Sequence, residues 1–154
     1  MLLYRVARTK WARTLDGEGA RLHGGRWNHP GTPCIYTSES RALAILEYTV
    51  NTNLDDIPRS LSLITIEVPK SGAAHFFMVP LSSLPGDWRD TPAPVSAKDF
   101  GTGLLKKDFL GLGLPSVIIP KEFNFLLNPL KGAGASFSVV DIEDFVYDIR
   151  IKAV

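Results

Sequence analysis

The sequence predicts an α+β fold built on one mixed sheet, and three observations carry that prediction. Apolar runs of strand length recur along the 154 residues, only two segments read as helices, and strands and helices do not alternate as a βαβ repeat requires. The length suits one domain spanning 1–154, and a folded chain of this size buries roughly 70% of the surface its unfolded form exposes.

The first element is a short strand, Leu2 to Val6, in which apolar and polar residues partly alternate. A glycine-rich stretch, Gly17 to Asn28, then leads through the turn signal Pro30-Gly31-Thr32-Pro33 into a second short strand around Cys34-Ile35-Tyr36. Ser38-Glu39-Ser40 supplies capping residues for a helix of good helix formers from Arg41 to Asn51. Leu61 to Val68 reads as a strand ended by Pro69. Pro80, Pro85, Pro92 and Pro94 make 80–97 a loop, and a helix over 96–110 is interrupted by Gly101 and Gly103. Leu114 to Ile119 reads as a buried strand closed by Pro120. Ser136 to Ile142 and Phe145 to Ile151 give two more strand-like runs, the first alternating at Phe137, Val139 and Asp141.

Composition narrows the function classes. The chain is 45% hydrophobic and 21% charged, which is globular chemistry rather than disorder. Seventeen Lys+Arg against 16 Asp+Glu gives a net charge of +1, so no global field points to direct nucleic-acid binding or to anionic lipid. The one cysteine, Cys34, has no partner for an internal disulfide or a zinc site. Met1-Leu2-Leu3-Tyr4-Arg5 does not open a secretory leader, and no run of about 18 apolar residues marks a membrane span. A cytoplasmic protein without membrane association is the expectation.

Familiar catalytic motifs are missing. No His-Glu-x-x-His occurs, and His23, His29 and His75 have no metal-ligand spacing, so no metal is expected. Gly17-x-Gly19 meets Leu22, and Gly111-x-Gly113 meets Ser116, where a dinucleotide fingerprint wants glycine or alanine. There is no Gly-x-Ser-x-Gly elbow. Cys34, between Pro33 and Ile35 with no base nearby in sequence, reads as a structural thiol.

Three local features remain. Gly24-Gly25-Arg26-Trp27-Asn28 offers close backbone approach and a planar guanidinium suited to phosphate oxygens, or else a tight turn with a surface arginine. Glu47 shares a helical stripe with Leu43, Leu46 and Val50, and Ala42, Ala44 and Ile45 make the other faces apolar. It is either a buried carboxylate that needs a partner or a stripe-edge residue that reaches water. The third is Leu114-Pro115-Ser116 through Ile119-Pro120, followed by Glu122, Asn124 and Asn128-Pro129; Ser116 alone would satisfy a backbone group, and Asn128-Pro129 would be a turn.

Taken in order, Tyr4-Arg5, residues 17 to 28, Ile35-Tyr36-Thr37-Ser38, Leu43-Ala44-Ile45-Leu46-Glu47, Pro115-Ser116 and Asn124-Phe125-Leu126-Leu127-Asn128-Pro129 form a pattern over nearly the whole chain. It resembles the RES-domain toxins of bacterial Xre/RES toxin–antitoxin pairs, named for their Arg, Glu and Ser. By that resemblance the arginine falls on Arg26, the glutamate on Glu47, the serine on Ser116 and a tyrosine on Tyr36, with Arg5 matching an early arginine. His29 stands where relatives often have proline, and residues 98–110 follow the family pattern poorly.

The resemblance implies a fold like the ADP-ribosyltransferases and an attack on NAD+ as substrate, with no resident cofactor. The nicotinamide–ribose bond would break by hydrolysis, or by phosphorolysis with inorganic phosphate as co-substrate. ADP-ribosyl transfer to a protein, and an inactive NAD+- or ADP-ribose-binding module, are the alternatives. The implied partner is a helix-turn-helix antitoxin of the Xre type that covers the pocket, in an assembly compatible with a homodimer. The implied catalytic roles put Glu47 at the ribose, Arg26 with Arg5 at the pyrophosphate, and Ser116 on the carboxamide or a ribose hydroxyl. Tyr36 would stack on nicotinamide, and Asn124 would support the site. The chemistry is consistent: nicotinamide already carries positive charge and leaves neutral, so one carboxylate is sufficient where an ordinary glycosidase needs two. Trp27, Phe123 and Phe125 are assigned to packing.

Overall fold

Seven short runs pair into one sheet. They are β1 (Leu2–Arg8), β2 (Ile35–Ser38), β3 (Leu61–Glu67), β4 (Phe76–Met78), β5 (Gly111–Pro115), β6 (Phe123–Leu127) and β7 (Ser138–Phe145), in the order β4-β5-β6-β2-β1-β3-β7. This is a computed structural model that describes residues 1–132 and 137–152. β4 and β5 run parallel, and every other adjacent pair is antiparallel, so the sheet is mixed and the α+β class holds. Among the described residues five α-helices accompany it: α1 (Glu18–His23), α2 (Arg41–Val50), α3 (Lys70–Ala73), α4 (Val95–Leu105) and α5 (Pro129–Gly132).

The register is uneven. β1 pairs with β3 along its whole length, from Leu2↔Glu67 to Arg8↔Leu61, and β2 pairs with β6 from Ile35↔Leu127 to Ser38↔Asn124. β1 and β2 meet only at Tyr4↔Ser38. The sheet therefore splits there into two halves, β4-β5-β6-β2 and β1-β3-β7. Each face carries its own core. Leu3, Ile64, Ile66, Phe125, Leu127 and Phe137 fill one. Trp27, Trp88, Ala97, Leu104, Leu112, Leu114 and Leu126 fill the other, beneath α4. The two-residue period of β6 sends Phe125 and Leu127 to one side and Leu126 to the other. Each fully buried side chain of this kind stabilises the fold by about 1.5–3 kcal/mol.

α2 starts where the capping residues place it: the Ser40 side chain accepts from the Leu43 N–H at 3.1 Å. Leu43 and Ala44 are buried, but Val50 is 55% exposed. The helix is thus covered along one face, by Leu43, Ala44 and Thr49, with Arg41 and Ala42 exposed at its start and Val50 at its end. α4 runs through both glycines that the sequence suggests would interrupt it. Gly101 is required by contact, since a Cβ there would lie 2.1 Å from the Trp27 carbonyl oxygen.

Three strand expectations are corrected. The run predicted at Leu114–Ile119 is β5 at Gly111–Pro115. The Ser116 hydroxyl accepts the N–H groups of Ile118 and Ile119, folding them into a turn and taking donors a ladder would need. The strand starts early because Gly111 and Gly113 leave room for the Phe76 and Met78 side chains of β4. The two runs predicted at Ser136–Ile142 and Phe145–Ile151 are one strand, β7, followed by a 3-10 turn at Ile149–Ile151; Ser136 lies outside the described residues. β7 ends at Phe145 because its partner β3 begins at Leu61, opposite it. Helix α1 and strands β4 and β6 fall where the sequence gives no clear period. No helix among the described residues is long and apolar enough to cross a membrane.

Candidate active site

The split between β1 and β2 opens into a cavity of about 900 Å³. Tyr4, Arg5 and Val6 of β1 line it, as do Tyr36, Thr37 and Ser38 of β2, Glu47 of α2 and Asn124 of β6. Gly24 to Trp27 and Thr91 to Ala93 complete its wall. Glu47 is the one carboxylate among these lining residues, and Arg5 and Arg26 are the cations.

Glu47 is half-buried, and one of its oxygens is held firmly. Oε1 accepts from the Asn124 amide Nδ2 at 2.5 Å and from the Ser116 hydroxyl at 3.1 Å. Ser116 is 1% exposed, and its oxygen already accepts two backbone N–H groups, at 3.0 and 3.1 Å. Its own proton is thereby committed to Glu47. Asn124 is fixed at its other end, where Oδ1 accepts from the Ser38 hydroxyl at 2.7 Å. Among the described residues Glu47 Oε2 has no protein partner. Two donors on one oxygen offset the cost of removing a carboxylate from water and leave the second oxygen available.

The loop that carries Arg26 hangs on Tyr36. The Tyr36 hydroxyl accepts the Trp27 N–H at 2.9 Å and donates to Asn28 Oδ1 at 2.8 Å. Burial pushes this phenol well above the usual tyrosine range. The two glycines have separate reasons. Gly24 takes φ +69°, in the left-handed region, and a Cβ on Gly25 would sit 2.6 Å from the Tyr36 hydroxyl. Asn28 is fully buried, and its amide donates to the carbonyls of Ala20 and Thr32.

The two arginines differ. Arg26 Nη1 donates to the carbonyls of Trp88 and Asp90 at 2.8 and 2.9 Å, and the Trp27 and Trp88 rings stack at 6.0 Å. Arg26 therefore ties the 88–90 loop to the site and keeps only Nη2 and Nε for a ligand. The Arg5 guanidinium has no hydrogen bond or ion pair with protein among the described residues, although its backbone lies in the β1–β3 ladder. Burial lowers its guanidinium pKa, while the charge of Asp16 acts the other way. A half-buried cation without a partner in a cavity is suited to an anion.

Five of the six sequence-predicted site residues, Arg5, Arg26, Tyr36, Glu47 and Asn124, line the cavity, and the sixth, Ser116, touches Glu47 from behind. Ser116 lies behind Glu47 rather than in the cavity lining, so the expectation that it touches substrate is revised to a contact with the carboxylate. Asn124, expected in support, touches Glu47 directly. Tyr36 lines the cavity, but its hydroxyl is spent on the loop. Ser38 also lines the cavity and the Trp88 carbonyl holds Arg26, two residues the sequence does not single out. The period of two along Ile35–Ser38 puts Ser38 on the face of Tyr36 and was the available signal. The two departures from the family pattern touch each other: His29 Nε2 lies 2.6 Å from Asp99 Oδ1, and the His29 N–H, which a proline lacks, donates to Thr102 Oγ1. Cys34 is buried against this loop, with its thiol pushed up to about 12 by burial. No cluster of three or more His, Cys, Asp or Glu suited to a metal ion occurs among the described residues.

A cavity at a sheet split, with one anchored carboxylate, belongs here to a known class: residues 2–148 match the RES domain, and the chain belongs to that family. It is 37% identical to "Toxin Res" of Yersinia enterocolitica over 99% of this chain and 100% of the relative. It is 36% identical to "Prs ADP-ribosylating toxin" of Sphingobium sp., over 94% of this chain and 91% of that one. The fold is similar to a chain in the crystal structure of the M. tuberculosis MbcT-MbcA toxin–antitoxin complex. The TM-score there is 0.74 at 19% identity, covering 94% of this chain and 83% of that chain, a likeness of fold.

Proposed function

We propose that this chain is the toxin of a toxin–antitoxin pair and that its cavity binds NAD+ and breaks the nicotinamide–ribose bond. The observation that carries the reading is Glu47, a lone carboxylate pinned through Oε1 with Oε2 unpartnered, in a cavity whose other charges are two arginines. In this reaction the C–N bond electrons leave with nicotinamide, which becomes neutral without a general acid. Positive charge grows on the ribose, and Glu47 Oε2 accepts from the ribose hydroxyls and stabilises that charge. Arg5 takes the pyrophosphate, assisted by the free edge of Arg26. The Tyr36 ring borders the nicotinamide end, and Ser116 and Asn124 hold Glu47. Water or inorganic phosphate supplies the oxygen that closes on the ribose carbon.

The partner is a helix-turn-helix antitoxin of the Xre type that covers the cavity, in an assembly that accommodates two toxin copies. The solved toxin–antitoxin complex of similar fold supports an antitoxin partner. A cytoplasmic site of action follows from the substrate.

The name of the Sphingobium relative favours a second reading, transfer of ADP-ribose to a protein through the same ribosyl cation. Purified chain incubated with NAD+, with and without phosphate, separates the outcomes. Nicotinamide release in both conditions supports hydrolysis. Release only with phosphate, together with phosphorylated ADP-ribose, supports phosphorolysis. Label from NAD+ retained on protein supports transfer. No release and no label would leave transfer to an acceptor protein absent from the assay, or a binding site.

A further inference from the structure

We propose that Ser38 is a positioning residue for Glu47, acting through Asn124. The proposal rests on Glu47 being the working carboxylate. Ser38 ends β2, is 2% exposed, and stands at the junction of three strands: opposite Tyr4 on β1, at the one point where the two halves of the sheet pair, and opposite Asn124 on β6. Its backbone is therefore held from both sides, and its hydroxyl donates to Asn124 Oδ1 at 2.7 Å. Asn124 passes that restraint on, because the same amide donates to Glu47 Oε1 at 2.5 Å.

Two physical effects follow. A donor on the amide oxygen polarises the amide and strengthens its N–H toward the carboxylate, as hydrogen bonds in a chain do. It also fixes the side chain of Asn124, which otherwise turns to satisfy an oxygen left without a donor in a water-poor place. Ser116 restrains Glu47 from the other side through backbone N–H groups of its own turn, so the two serines clamp one oxygen from separate elements. Oε2 is then presented in one orientation.

The test compares Ser38→Ala, Asn124→Ala and the double variant with wild type. Ser38→Ala is expected to lower kcat roughly tenfold with KM changed by less than about twofold, the pattern of a contact that matters in the transition state. On the Asn124→Ala background the serine change is expected to cost nothing further. Ser38→Thr, which keeps the hydroxyl, restores most of the rate. Independent losses that multiply, or an unchanged kcat in Ser38→Ala, overturn the proposal. If Ser38→Ala does not fold, Ser38→Cys keeps the volume with a weak donor and carries the same comparison. A second readout needs no turnover: the Asn124 side-chain amide proton resonance, displaced by its carboxylate acceptor, moves toward the position of a solvated asparagine in Ser38→Ala. If wild type releases no nicotinamide, the proposed function fails, while an unmoved amide resonance refutes the role of Ser38 by itself.

Discussion

Two glycines in one helix make opposite predictions when each is replaced by alanine. Helix propensity alone favours alanine over glycine by about 1 kcal/mol at either site. At Gly103 nothing lies within 4 Å of the new methyl, and the site is exposed. Gly103→Ala should therefore stabilise the protein by roughly 0.5–1 kcal/mol. At Gly101 the methyl would lie 2.1 Å from the Trp27 carbonyl oxygen, 2.8 Å from its Cβ and 2.9 Å from its carbonyl carbon. Two of these three atoms are backbone, so α4 or the Arg26 loop must move by about 1 Å. Overpacking that shifts backbone costs about 1–3 kcal/mol, which equals or exceeds the propensity gain. A net loss near 1 kcal/mol corresponds to a Tm lower by about 2–4 °C for a chain of this size, and the Gly103 variant should melt higher by a similar or smaller amount. Thermal melts followed by far-UV circular dichroism measure both. The Gly101 variant should also turn over more slowly, because the displaced Trp27 supplies the N–H that Tyr36 holds. Equal rises in Tm for the two variants would refute the argument that α4 is seated on Trp27.

Other consequences are as direct. Glu47→Gln keeps the side chain's size but not its charge, and nicotinamide release should fall at least a hundredfold, about 2.7 kcal/mol, with the melting curve retained; near-wild-type turnover removes Glu47 from the mechanism. Arg26→Lys retains a charge but cannot bridge the Trp88 and Asp90 carbonyls while offering a second edge, so NAD+ affinity by calorimetry should weaken about tenfold, and the tryptophan fluorescence of the Trp27–Trp88 pair should change. Unchanged affinity would defeat its place at the pyrophosphate. Ser116→Ala leaves two backbone N–H groups and a carboxylate oxygen each short of a partner, and should destabilise the fold by about 1–3 kcal/mol in urea titration as well as slowing turnover. Cys34 has a thiol pKa of about 12 when folded, above its unfolded value. Its contribution to stability is therefore complete at neutral pH and lost as pH rises from about 9 toward 12, and Cys34→Ala should flatten that part of the stability–pH curve. The native thiol should stay inert to a disulfide reagent at pH 8 and react on unfolding; rapid native reaction contradicts its burial.

The sequence carried the fold best where a period was long or a cap was explicit. β3 and α2 lie within a residue of their predicted bounds because an apolar-rich run closed by Pro69 and the capping Ser40 mark them. β6 is hard to read because Asn124 interrupts its apolar run, its side chain spent on Glu47 and Ser38, while Asn128-Pro129 makes the expected turn just past the strand, Asn128 Oδ1 accepting the Leu130 N–H. The end of β5 was misplaced because Val117 to Ile119 have strand chemistry, and only the side-chain acceptor of Ser116 turns them away. For the site, identities were legible and contacts were not. Residue type placed Arg26 among candidates for an anion, but nothing local showed that two carbonyls some sixty residues away occupy one of its nitrogens. Ser38 and Asn124 pair only across strands, a relation that linear spacing does not encode.

β1 is the first strand made yet lies inside the sheet, and its neighbour β2 takes its other partner from β6, at residues 123–127. The donors that hold Glu47 stand at positions 116 and 124 of 154. While the chain is being synthesised, Glu47, Arg5 and Arg26 leave the ribosome well before the pocket wall that orders the carboxylate, which does not exist until residues 116–124 are out. Truncated products that stop before Ser116 carry the charged residues without the scaffold that aims them. A cell translating this message therefore meets an assembled pocket only in copies whose synthesis has passed Asn124, so the charged residues and the frame that orders them arrive in separate stages.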